Sequence, residues 1–152
     1  MHKIALLRQC VCVLFLVVLC MVALFAVRSS EHARFTFVFY DRESGRPTVE
    51  ERLLYRETET EHALSAYVQE TLYGPITPVL APLFLPETAL LSLLYRKGAV
   101  FINLSEEAAF PLAESGLKSP LTIIEEGIRR NFPIVQTVHI FIKGYEIAGF
   151  SQ

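Results

Sequence analysis

Residues 69–87 read QETLYGPITPVLAPLFLPE, and the reading of this stretch decides how the rest of the chain is organised. It holds four of the eight prolines, Pro75, Pro78, Pro82 and Pro86, among Leu, Val, Ile and Phe. Proline withdraws a backbone donor and breaks helix and sheet interiors, so no regular element is expected here. A loop in solvent is polar, whereas this one is oily. A connector that lies over a core meets both constraints. Its apolar side chains turn inward, and the prolines lower the entropy cost and the number of unpaired N–H groups. Leu80, Leu83, Phe84 and Leu85 are therefore expected to cover the core. A ligand or partner groove is the competing use of the same residues.

On its N-terminal side the connector leaves a helix. Thr58 to Glu61 has capping-box spacing, and Ala63, Leu64, Tyr67, Val68 and Leu72 mark one helical face. Tyr73-Gly74-Pro75 stops that helix. On its C-terminal side it enters a hairpin, residues 89–105, turning at Arg96-Lys97-Gly98. Further upstream, FTFVFY (35–40) is a strand, 41–47 a polar turn and 49–57 a second strand. Further downstream, 105–118 is irregular, and Ser119-Pro120 opens a helix that runs through Phe132. VQTVHIFIKG (135–144) is a strand, and YEIAGF adds a short last one.

Ahead of this unit, Val11 to Val27 is a run of 17 residues with no polar or charged side chain. At about 1.5 Å per residue it covers roughly 25 Å, and arginines at its ends can snorkel to match a ~30 Å hydrocarbon core. The site Val27-Arg28-Ser29 is poor for cleavage, and Cys20 lies mid-run, poorly placed for lipidation. An uncleaved signal anchor is the favoured reading, with both alternatives open. Lys3 and Arg8 precede the run, so the short N-terminus is expected to stay in the cytosol. The layout is then a cytosolic stretch 1–10, a transmembrane anchor 11–27, a linker 28–33 and an extracytoplasmic domain 34–152.

Beyond the anchor, 12 basic residues stand against 16 acids. A mildly acidic domain without a basic cluster argues against nucleic acid. Cys10, Cys12 and Cys20 all lie at or in the apolar run, so the exported part carries no thiol. His2, His32, His62 and His139 are isolated, which argues against a metal site. No GxSxG, HExxH, P-loop or GxGxxG occurs. The acid pairs Asp41/Glu43, Glu106-Glu107 and Glu125-Glu126 lie in turns or at helix ends and read as solvated. No cofactor and no catalysis are expected.

Leu72-Tyr73-Gly74-Pro75, Leu85-Pro86-Glu87-Thr88 and Val100-Phe101-Ile102-Asn103-Leu104-Ser105 together resemble the GerMN domain, the sporulation and spore germination module of bacterial envelope proteins. The likeness covers about residues 34–148. The extra prolines Pro78 and Pro82 and the short 106–118 segment depart from the family pattern. The resemblance implies a small α+β (α/β) sandwich, a mixed sheet with two helices on one side, similar to ring-building motifs. Gly74, Pro75, Pro86, Asn103 and Ser105 match its motif and are read as fold determinants. No catalytic residues come with it. It implies a non-enzymatic module for protein–protein assembly at the bacterial cytoplasmic membrane, single-pass, with its domain in the periplasm. Other envelope proteins are the expected partners, self-association included. An accessory module binding a ligand such as peptidoglycan is the alternative.

The expected docking surface lies on the second helix. Leu121, Ile124, Ile128 and Phe132 form its core stripe at about 100° per residue. Glu126 and Arg130 lie opposite, spaced as a solvent-side ion pair. Ile123 falls outside the stripe beside Gly127, and the four residues Ile123, Glu126, Gly127 and Arg130 make a flat candidate interface.

Overall fold

Alternating aromatic and smaller residues make the first strand, and they point its large rings one way. The computed structural model describes residues 13–22, 31–112 and 118–147. Residues 13–22 form helix α1 within the 11–27 run; the rest of that run lies outside the described residues. Among the described residues no helix is long and apolar enough to cross a membrane. By contacts the chain separates into one unit of 1–33 with 54–56 and a second of 34–53 with 57–152.

Strand β1 (His32–Asp41) starts two residues before the expected domain boundary and buries Phe35, Phe37 and Phe39. Asp41 makes the turn by accepting the Ser44 N–H and hydroxyl, both at 2.8 Å, and Gly45 supplies a positive φ of 63°. The Asp41 N–H donates to the Arg46 carbonyl and registers β2 (Pro47–Tyr55), so that Val38 stands opposite Val49. In β2 the alternation is inverted: Glu50 and Arg52 are buried, while Val49 and Leu53 are exposed.

Helix α2 (Thr60–Tyr73) has Glu59 as its N-cap with no side-chain cap bond, so the capping box is not made. Glu61 instead accepts the Tyr95 N–H at 2.8 Å, from the neighbouring strand β4 (Leu90–Arg96). The helix ends at Gly74, φ 87°, as the sequence indicated. In the proline-rich connector Leu80, Leu83 and Phe84 are buried and Leu85 half-buried. One correction applies there. Leu80–Ala81 forms a two-residue strand β3, paired with Asp41 and Tyr40 of β1. Only Val79, Leu80 and Ala81 lie between Pro78 and Pro82, which is room for one short ladder and no more.

The hairpin of β4 and β5 (Ala99–Leu104) turns at Lys97 and Gly98, with φ of 48° and 84°. A bulge interrupts it between Leu90 and Ser92. After a 3-10 turn (Glu106–Ala109), helix α3 (Pro120–Asn131) carries the chain to β6 (Thr137–Ile142), which pairs parallel to β5. A short β7 (Tyr145–Glu146) closes the order β4-β5-β6-β7. Residues 148–150 of the expected last strand lie outside the described residues.

The α+β class holds, but the expected single mixed sheet is two: three strands in the order β2-β1-β3 and four in the order β4-β5-β6-β7. The reason lies at the edge of β1. The side-chain amide of Asn131, on α3, accepts the Thr36 N–H and donates to the Thr36 carbonyl, each at 2.8 Å. A helix thus occupies the position where another strand would pair.

Candidate functional site

Because α3 runs along β1, its buried arc is wide. Ile123, Gly127, Ile124, Ile128, Leu121 and Glu125 are all buried, an arc of about 200° at 100° per residue. The expectation of an outward Ile123 is therefore corrected: it is 5% exposed, and its flank meets β1 where solvent was expected. Gly127 is not an open patch either. The ring of Tyr67 sits on it, and a Cβ added there would overlap the phenol oxygen. Tyr67 stacks on Phe37 at 4.7 Å between centroids and meets Phe132 edge-on at 5.8 Å. Burial pushes its hydroxyl up to about 12, against weaker opposing effects led by Thr71.

Ile123 forms the floor of a groove of about 410 Å³ between the outer face of the β1–β2 hairpin and the flank of α3. Val38, Tyr40, Pro47 and Val49 line the strand side; Glu126 and Arg130 line the helix side. Lys118 closes one end, bound to Glu126 at 2.6 Å, and its carbonyl accepts the Tyr40 hydroxyl at 3.3 Å. The expected Glu126–Arg130 pair is thus replaced by Lys118–Glu126. Arg130 is exposed, with no ion-pair partner among the described residues. Three of the four residues singled out on α3 do converge on one place, but as floor and rim of a concave site. Val38, Tyr40, Val49 and Lys118 were missed, because no local period records which helix packs beside the outer face of a hairpin.

The five family-motif residues do not converge. Gly74 donates its N–H to Thr71, and its carbonyl accepts Arg52 at 2.7 Å. Pro75 is half-buried and Pro86 exposed. Asn103 accepts the Gly144 N–H at 2.9 Å, and the Ser105 hydroxyl accepts the Ala89 N–H at 3.0 Å. Asn103 thus ties β5 to the turn before β7, and Ser105 closes the open end of the β4–β5 hairpin.

A second polar cluster was not anticipated. Arg52 bonds Glu50 through Nε at 2.6 Å and Glu70 at 2.9 Å, and lies 4.7 Å above the Phe37 ring. Glu50 also accepts the N–H groups of Ile76 and Thr77, at 3.2 and 2.9 Å. Burial raises its pKa, but the bonds from Thr77, Arg52 and Ile76 prevail and hold it at about 2. Every polar group here is turned to another, and together they clamp the start of the connector to β2. No group of three or more His, Cys, Asp or Glu suited to a metal occurs among the described residues.

The architecture is thus a small α+β domain with a helix-flanked sheet groove. Among solved structures it is similar to the tandem GerMN domains of the sporulation protein GerM from Bacillus subtilis, with 16% identity and a TM-score of 0.56 over 76% of this chain. The chain spans 40% of that tandem structure. The first GerMN domain of the same protein superposes over 78% of this chain and 88% of its own length, with 14% identity and a TM-score of 0.56. At such identities the likeness establishes a shared GerMN fold. No family profile and no curated protein matches the chain in sequence.

Proposed function

We propose that the chain is a non-enzymatic, extracytoplasmic assembly module of a bacterial envelope complex, of the sporulation and germination type, tethered by an anchor at residues 11–27. The groove over Ile123 is the observation that carries this reading. Its strand wall is apolar, and its charges sit on the helix rim and at one end rather than converging on a reacting atom. Val49 and Leu53, 55% and 66% exposed, lie on the outward face of β2 on either side of Glu51. Such a surface with a polar rim suits a protein partner. The shared fold with a sporulation protein's domains supports the same setting. An accessory ligand-binding role has one observation in its favour, a volume within the range of small-molecule sites.

Val49→Asp and Arg130→Glu change exposed groove residues, so each is expected to alter stability by no more than about 0.5 kcal/mol. Both are expected to reduce recovery of partner proteins when the full chain is purified from gently solubilised membranes. Unchanged recovery by both variants overturns the groove as a docking site. Loss of sedimentation with purified peptidoglycan, and of nothing else, favours the ligand-binding reading.

A further inference from the structure

The far end of the β1–β2 hairpin carries an aromatic pair facing solvent. Tyr55 is 61% exposed and meets the His32 ring edge-on, with centroids 6.2 Å apart. Immediately beyond them the Arg56 N–H donates to the Glu31 carbonyl at 2.7 Å, so the hairpin is closed up to residue 31. The apolar run ends at Val27. Four residue steps separate Val27 from Glu31, and at 3.3–3.6 Å per residue they reach at most about 14 Å. The polar layer outside each face of the hydrocarbon core is itself roughly 5–7 Å deep.

We infer that this hairpin end rests on the bilayer surface, with Tyr55 and His32 seated in the interfacial layer. The inference rests on the anchor reading of residues 11–27. A tether this short leaves the hairpin end little room to stand clear of the headgroups. Tyrosine is the side chain suited to that layer, apolar in body and polar at its tip. The attraction is not electrostatic. In sequence around the pair, Arg28, Arg34 and Arg56 stand against Glu31, Glu51 and Glu57, so no net charge selects anionic lipid and zwitterionic lipid is the expected partner. Leu53 and Val49 precede Tyr55 in β2 by two and six residues.

The chain contains no tryptophan, so a single introduced one reports its own surroundings. Tyr55→Trp, Leu53→Trp and Val49→Trp, each in the full chain, are reconstituted into phosphatidylcholine vesicles with brominated acyl chains. Emission at position 55 is expected to be blue-shifted and strongly quenched, at 53 partly quenched, and at 49 unquenched. Alkaline extraction of the same vesicles reads the anchor separately. A chain retained in the bilayer with no quenching at 55 overturns the seating and leaves the anchor standing. Equal quenching at 55 and 49 means a domain lying flat, which also overturns it. A chain released by alkali overturns the anchor and the seating together.

Discussion

Gly127 has no side chain because Tyr67 needs the space. An added methyl would overlap the phenol oxygen and lie 3.1 Å from Cζ, with the ring held between Phe37 and Phe132. Gly127→Ala is therefore expected to cost about 1–3 kcal/mol, despite the better helix propensity of alanine. Tyr67→Phe in the same chain should return part of that loss in denaturant titration; strict additivity would argue against the contact. Glu50 makes a different demand. Its folded pKa of about 2 lies below the ordinary 4.5, so its contribution is complete above pH 4.5 and is lost as pH falls toward 2. That contribution is present at neutral pH and fades as the carboxylate takes up its proton. Glu50→Gln should lower the urea midpoint at pH 7 and flatten its dependence between pH 4.5 and 2. An unchanged slope would assign acid lability to other carboxylates.

At the scale of elements, the connector and α3 contrast in how far they could be read. Phe84 is 1% exposed, as an oily proline-rich link between helix and hairpin implies. Phe84→Ala should cost about 3–5 kcal/mol, seen as a lower melting temperature. Ile123 was misread because a helical wheel assigns one core face, and α3 has two neighbours. Its second face is set by β1, some 85 residues earlier in the chain, and no local period records that. Ile123→Asp is now expected to unfold the domain by burying a charge, whereas Ile123→Val should cost about 0.5–1.5 kcal/mol. A folded Ile123→Asp chain would return that face to solvent. The turn at Lys97-Gly98 and the stop at Gly74 were legible because local backbone demands set them. The Glu61–Tyr95 bond was not, since the same Glu fits a cap equally well by spacing.

For the whole molecule, the sequence carried the order of elements and the family resemblance, while the division into two sheets goes with contacts on β1 that no local pattern records. Asn131 holds α3 against Thr36 with the donor and acceptor that a neighbouring peptide would offer. In the three-stranded sheet this leaves the two sides unequal. The outer side of β2 is an ordinary open edge, whereas β1 is occupied at residue 36 by α3 and at residues 40–41 by β3. A molecule with one reactive end can pair but cannot propagate. If two copies joined through β2, the joined sheet would have a stopper at both ends. Growth through this sheet would then terminate at two, and the amide of Asn131 serves as its chain terminator.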